Sequence, residues 1–324
     1  MKSRTNFIVV VSLAVCALHF ISEVNSEARI KSEVIMENAI PYTVSVQSQA
    51  GFKEFTPCKD GWYMSFKWLF GDKVYNTRDS DINYSDANGH VHACGGGILT
   101  DRYIITAAHC VDETEPRNVS VIVGAIDLKK VRSNQRYCVE NIIIHEKYRI
   151  GEDTDYDIAL IKLTRPLNLD QENQIFKAKP LWLSRDNVIP GDTGILGGYG
   201  NIHQRYTENV NDTFEVNFWR EDGKLRAINT IVVHASACRL PPAHIYNENN
   251  LFFICAEGID GIGFEGDSGS PMIQNLDNGK LYGIYARYFF LYNVTNGRRH
   301  SIKETGMLVT RLSTHYDWIV KNIP

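Results

Sequence analysis

Apolar positions in this chain fall in short runs divided by turn-forming residues. Tyr42–Gln47 (YTVSVQ), Val119–Ala125 (VSVIVGA), Glu140–Glu146 (ENIIIHE), Asp157–Leu163 (DIALIKL), Ala227–His234 (AINTIVVH) and Lys280–Tyr288 (KLYGIYARY) are rich in Val, Ile and Tyr. Such side chains pack well on a pleated, half-buried surface, so each run predicts a strand. One helical period stands out at the C-terminus, in STHYDWIVKNI, where Tyr316, Ile319, Val320 and Ile323 share a face and Ser313 is placed to cap the N-terminus. Many short strands and one terminal helix predict an all-β architecture of sandwich or barrel type. Residues 48–90, rich in Gly, Asp, Asn and aromatics, and the polar residues 201–220 interrupt the pattern. Both read as surface insertions, since a buried loop would strand backbone hydrogen-bonding groups.

The first residues follow a different pattern. Lys2 and Arg4 precede an apolar run from Phe7 to Phe20, and Val24 and Ser26 are small enough for signal-peptidase cleavage. Residues 1–26 therefore predict a signal peptide and a secreted, extracellular protein. No other apolar run approaches the roughly 20 residues of a membrane span, so no membrane association is expected after signal removal. The length of 324 residues, with 44% hydrophobic and 22% charged, can bury a sizeable core. The net charge of −4, without a long basic cluster, argues against nucleic acid as a partner. Of seven cysteines Cys16 leaves with the signal, and the remaining even set suits disulfides in an oxidising compartment. Sequons at Asn83, Asn118, Asn211 and Asn293 fit glycosylation in the same compartment.

Three segments carry candidate chemistry. His109 follows an apolar strand and two alanines that leave room around an imidazole. Asp157 heads an apolar strand, where an unpaired carboxylate would be costly and a histidine N–H is a natural partner. Ser268 lies in GDSGS, whose glycines permit tight backbone geometry and close approach of a substrate. A serine hydroxyl is a poor nucleophile until an imidazole accepts its proton and a carboxylate fixes the imidazole tautomer. The Gly266 and Ser268 amides are placed to stabilise the resulting oxyanion. The chain order His109, Asp157, Ser268 differs from the Ser, Asp, His order of an α/β-hydrolase, and Ser270 stands where that fold's Gly-x-Ser-x-Gly needs its last glycine.

TAAHC, DIALIKL and GDSGSP in this order resemble the chymotrypsin/trypsin family of serine peptidases, as a divergent member. PYTVSVQ, Gly197–Gly200 (GGYG) and YDWIVKNI agree, and the resemblance extends from about Ile30 to Pro324 outside the two insertions. It implies two six-stranded antiparallel β-barrels with a C-terminal helix and a site in the cleft between them. His109 and Asp157 would come from the first barrel and Ser268 from the second. It also implies the disulfides Cys94–Cys110 and Cys238–Cys255, leaving Cys58 and Cys138 as a third pair between the first insertion and the first barrel. Activation by cleavage between Arg29 and Ile30 is implied as well. Residues 27–29 are then a short propeptide, residues 30–324 the peptidase domain, and Asp267 the receiver of the new Ile30 amine.

The chain departs from the family in identifiable places. Lys31, Ser32 and Glu33 stand where the family has a valine and glycines after the new N-terminus. Phe264 occupies the position of a pocket cysteine, and no cysteine follows Cys255. Ile262 falls at the floor of the substrate pocket, where it offers no charge to a basic side chain. Ala286 and Arg287 replace the usual Ser-Trp, and Tyr288 replaces a glycine at the pocket wall. Arg287 faces either the substrate cleft or solvent. His90 and His92 (HVH) share a strand face but lack a third ligand nearby, so they read as a polar edge and no metal or cofactor is expected. The leading reading is a monomeric, secreted serine endopeptidase favouring an apolar residue before the scissile bond. Its expected partners are a protein or peptide substrate and a protease inhibitor. A catalytically impaired binding or regulatory protein on the same fold is the alternative, motivated by the altered N-terminus, the missing pocket disulfide and Tyr288.

Overall fold

The computed structural model describes residues 40–49, 90–112, 114–149, 155–169, 178–200, 203–208, 214–219, 223–235, 252–295 and 298–324. The first barrel is built from β1 (Thr43–Gln49), β2 (His90–Ile98), β3 (Tyr103–Thr106), β4 (Val119–Val123), β5 (Arg136–Ile144) and β6 (Ala159–Leu163). It closes in the order β1-β2-β3-β6-β5-β4. The second uses β7 (Thr193–Gly198), β10 (Arg226–Val233), β11 (Phe253–Gly258), β12 (Pro271–Ile273), β13 (Leu281–Thr295) and β14 (Arg298–Arg311). It closes in the order β10-β11-β14-β13-β12-β7. The pairings in both barrels are antiparallel. Among the described residues, no helix is long and apolar enough to cross a membrane.

Each barrel closes over its own core. Val44, Ile104, Val121, Leu160 and Ile161 fill the first, and Leu196, Ile254, Phe264, Met272 and Val309 the second. Closure leaves no unpaired sheet edge in either barrel. The two meet along β2, whose Gly95–Gly97 run breaks the apolar pattern. A Cβ on Gly95 would overlap the Ser270 hydroxyl, so glycine is required where β2 touches the second barrel. The contact is direct: Gly95 N–H donates to the Ser268 carbonyl at 2.7 Å.

Two expectations need correction. The stretch 201–220 contains β8 (His203–Glu208) and β9 (Phe214–Trp219), paired as a two-stranded sheet separate from both barrels. Its polar sequence hid the strands because neither joins a barrel core. The terminal helix, α1, runs from Leu312 to Asn322, so Ser313 lies inside it, with its hydroxyl 3.1 Å from Asn187 Oδ1, and Arg311 is the cap residue. Its buried face is Leu312, His315 and Ile319, while Val320 is exposed. The first insertion lies almost wholly outside the described residues, with Cys58 and Asn83, as do the signal segment, Arg29, Ile30, Asn211 and Cys238. Asn118 precedes β4 directly and Asn293 sits within β13.

His315 anchors α1 to the first barrel. Its Nε2 donates to the Asp155 carbonyl at 2.9 Å, and its ring meets His145 edge-on at 5.4 Å. His145 in turn stacks on Trp318 at 4.8 Å, and Trp318 Nε1 donates to Glu146 at 2.8 Å. Burial, then the neighbouring His145, pushes the His315 pKa down to about 4. Protonation is thus resisted in the folded state and free in the unfolded one. The stabilisation is complete above the unfolded value near 6.5 and is lost as pH falls towards about 4. That difference corresponds to roughly 3 kcal/mol. Denaturant unfolding from pH 7 to pH 4 is expected to show this loss, and His315→Gln, which keeps a donor for Asp155, should remove most of it. Equal pH slopes in the two proteins would show that His315 is not the titrating group.

Candidate active site

The cleft is assembled from loops at the barrel seam. After β3, Ala107 and Ala108 lead into a short turn that presents His109, and the Cys94–Cys110 disulfide ties the turn to β2. Ala107 and Ala108 are fully buried, so their small side chains let the turn sink against the barrel. Asp157 lies just ahead of β6 and is 3% exposed. Its Oδ2 accepts the His109 Nδ1–H at 2.7 Å and its Oδ1 accepts the His109 backbone N–H at 2.9 Å. The imidazole is therefore held by its ring and its own main chain together. From the second barrel, Thr310 Oγ1 donates to the Asp157 carbonyl at 3.2 Å.

The electrostatics follow from burial and pairing. Burial pushes the Asp157 carboxyl up, but the His109 charge and hydrogen bonds outweigh it and hold the group below its ordinary value. For His109, burial disfavours the imidazolium, and Asp157 overrides that and raises its pKa. With Nδ1–H given to Asp157, Nε2 keeps a lone pair and can accept a proton.

Ser268 sits in the loop before β12. Its hydroxyl donates to the Ala286 carbonyl at 3.3 Å and makes no hydrogen bond to His109 Nε2. Rotation about its Cα–Cβ bond changes the direction of the hydroxyl, and such contacts are often loose without substrate. The loop's own geometry is tightly specified. Gly266 has φ of +90°, a conformation open to glycine at little cost. Asp267 is buried, accepting from Gly200 N–H at 2.8 Å and from Phe264 N–H at 2.9 Å. The Gly266 and Ser268 N–H groups have no hydrogen-bond partner among the described residues.

His92 is a residue that the pattern of histidines misplaced. It is buried rather than part of a polar edge, with Nδ1 2.8 Å from the Ser45 hydroxyl and Nε2 2.8 Å from the Gly266 carbonyl. A carbonyl only accepts, so Nε2 carries the proton and Ser45 donates to Nδ1. Burial pushes its pKa down to about 4, which keeps this tautomer at neutral pH. A bulge that skips Ala93 in the β1–β2 register sets Cys94 opposite Val46 and His92 opposite Gln47, on the face that carries Ser45.

Of the expected pocket residues, Ile262 and Tyr288 share one apolar cluster. Ile262 is buried with Phe264, Tyr285 and Met307, and Tyr288 packs against them. Phe264 and Tyr288 stack at 4.4 Å with an interplanar angle of 18°. Ala286 is buried and Arg287 is exposed. Cys138 and Cys255 are both disulfide-bonded.

A family profile described as Trypsin matches residues 71–319. The chain is 26% identical over 245 residues to Phenoloxidase-activating factor 3 of Holotrichia diomphalia, covering 71% of this chain and 64% of that protein. It is 30% identical over 247 residues to Trypsin Tyr p 3.0101 of Tyrophagus putrescentiae, covering 74% and 76%. The solved structure of mouse neuropsin, a serine protease, matches 91% of this chain and 99% of its own with a TM-score of 0.57 at 20% identity. The scabies mite inactivated protease paralogue S-I1 matches 90% and 98% with a TM-score of 0.59 at 21% identity. At those identities the two structures carry the fold alone. The chain spans less than two thirds of the Holotrichia protein.

The His109–Asp157 pairing makes a solution prediction. The imidazole is expected to titrate above the ordinary histidine value of about 6.5. Asp157→Asn removes the charge that opposes burial, so the midpoint should fall below that value. Nitrogen-15 NMR of labelled histidine reads both midpoints, and an unchanged His109 midpoint in the variant would break the electrostatic link.

Proposed function

We propose, since the chain belongs to the trypsin family of serine proteases, that it is a secreted endopeptidase using His109, Asp157 and Ser268. The observation that carries this reading is the pair of hydrogen bonds that Asp157 accepts from His109, which leaves Nε2 with its lone pair free to act as a base. In the proposed reaction the Ser268 hydroxyl turns from Ala286 towards His109 and attacks the scissile carbonyl, giving its proton to Nε2. The Gly266 and Ser268 N–H groups receive the developing oxyanion, where preorganised donors contribute most. The imidazolium, stabilised by Asp157, then protonates the leaving amine. A water, deprotonated by the same nitrogen, hydrolyses the acyl-enzyme and restores Ser268.

Activation is proposed to follow cleavage after Arg29. Burial raises the Asp267 pKa to about 6, against the pull of its two backbone hydrogen bonds. A carboxylate so placed gains strongly from a cation, and the Ile30 amine is the proposed one. Fluorophosphonate labelling tests the centre. Labelling at Ser268 is expected after trypsin treatment of the full chain and to be weak before it. Ser268→Ala should abolish labelling and lower peptide turnover by several orders of magnitude while leaving the circular dichroism unchanged. Equal labelling before and after cleavage would remove the activation step, and turnover by the Ser268→Ala variant would remove the nucleophile.

The pocket supports an apolar residue before the scissile bond. Buried Ile262 supplies no counter-charge, and leaving a substrate Lys or Arg unpaired there is costly. An apolar side chain instead gains about 25 cal/mol for each Å² it buries. The Phe264–Tyr288 stack narrows the space, which favours Ala, Val or Leu over Phe or Tyr. A peptide library varied at this position is expected to show that order, and Tyr288→Gly should move the preference towards the larger side chains. Preferred cleavage after Arg or Lys would overturn the assignment of Ile262.

A further inference from the structure

Arg287 occupies a position on β13 that the pocket and the proposed triad do not use. On one side of it, Ala286 offers its carbonyl to the Ser268 hydroxyl at 3.3 Å. On the other, Tyr288 stacks on Phe264 at 4.4 Å. The strand carries an extra residue here, since Tyr285 pairs with Val309 and Arg287 with Leu308, which leaves Ala286 as a bulge. A bulge breaks the regular alternation and re-aims the flanking side chains, as is common beside active sites.

The Arg287 charge is felt by groups of the proposed site. It lowers the pKa of His109 and Asp157 and opposes the raised pKa of Tyr148. Its place is set by the strand: Ala286, the residue before it, accepts the Ser268 hydroxyl, so Arg287 stands next to the proposed nucleophile. It is exposed, and no hydrogen bond or ion pair occupies it among the described residues. The nearby Asp112 carboxylate accepts the Tyr148 hydroxyl at 3.1 Å. An arginine presents a fork of donors matched to a carboxylate.

We propose that Arg287 is a specificity-determining residue that selects an Asp or Glu side chain at P2 or P3, one or two residues ahead of the P1 residue. This rests on the peptidase reading above. The P1 side chain enters the Ile262–Tyr288 pocket, and in an extended peptide its neighbours project away from that pocket. A carboxylate there meets the open guanidinium as the substrate covers it from water. A lysine at the same place meets a like charge.

Peptides that share the best apolar P1 residue and differ only by Glu, Gln or Lys at P2 or P3 test the proposal. The full chain, cleaved after Arg29, is compared with Arg287→Gln and Arg287→Glu, and fluorophosphonate titration counts the competent sites in each. A charge-assisted pair predicts a preference for Glu over Gln of about tenfold in kcat/KM, shrinking with added salt. Arg287→Gln should abolish the ratio, and Arg287→Glu should shift preference to Lys. Equal rates for Glu and Gln, or a Glu preference that survives in Arg287→Gln, would overturn the role of Arg287 and leave the peptidase reading standing. Absence of both labelling and cleavage would remove the peptidase reading and this proposal with it.

Discussion

The geometry of the cleft depends on one backbone contact between the barrels, from Gly95 N–H to the Ser268 carbonyl at 2.7 Å. It brings the loop that carries Ser268 against β2, the strand whose Cys94 is bonded to the neighbour of His109. Thr106, at the end of β3, donates its hydroxyl to the Gly95 carbonyl at 2.8 Å, so the same residue is fixed on both sides. Further links cross the seam beside the site, among them His92 to Gly266 and Thr310 to Asp157. Both of these end on backbone adjacent to a site side chain. Side chains from two separately closed barrels thus acquire a common frame, and Ile273 and Ile284 of the second barrel pack into the same buried cluster as the first. The requirement is steric, because any Cβ on Gly95 would push the Ser268 loop away.

Two buried aspartates show what the seam does to charge. Asp157 and Asp267 are 3% and 6% exposed, and burial opposes ionisation in both. Asp157 faces an ionisable imidazole as well as N–H donors, and its pKa is lowered. Asp267 has two backbone N–H donors and no imidazole, and its pKa rises to about 6. For Asp267 two backbone hydrogen bonds and the charge of Arg226 do not offset desolvation, whereas for Asp157 the charge and direct hydrogen bonds of His109 do. The same comparison explains why His92, bonded to a hydroxyl and a carbonyl, stays neutral while His109 is drawn towards its charged form.

The legible parts of the fold were those where a strand's pattern serves one barrel core. The runs starting at Tyr42, Val119, Asp157 and Ala227 all overlap observed strands within a few residues, while Lys280–Tyr288 catches only the first part of β13, which continues to Thr295. Glu140–Glu146 found only the second half of β5, because Arg136 and Tyr137 at its start are buried but not an aliphatic run. β2 was obscured because Gly95–Gly97 serve the seam rather than a core, and β12 because three residues carry no period. The pairing of His109 with Asp157 was readable from chemistry, since a carboxylate at the head of a buried strand demands a donor. The inward turn of His92 was not, because it depends on a bulge. Nor was the burial of His315, a polar residue whose hydrogen bond to Asp155 is made by tertiary packing alone.

The pocket wall shows how one change can alter stability and selectivity together. A disulfide commonly contributes about 2–4 kcal/mol by restricting the unfolded chain, and it leaves the space beside it open. Phe264, at the position of the family's pocket cysteine, stacks on Tyr288 instead. Aromatic pairs are worth about 0.5–1.5 kcal/mol beyond the area they bury, so the stack restores part of the lost restraint. Unlike a disulfide it fills volume, and it does so where Ile262 already makes the floor apolar. The wall is therefore narrower and less rigidly tied than a bridged one. Arg287, next along β13, is exposed, so an apolar cluster and an exposed cation lie side by side on this strand.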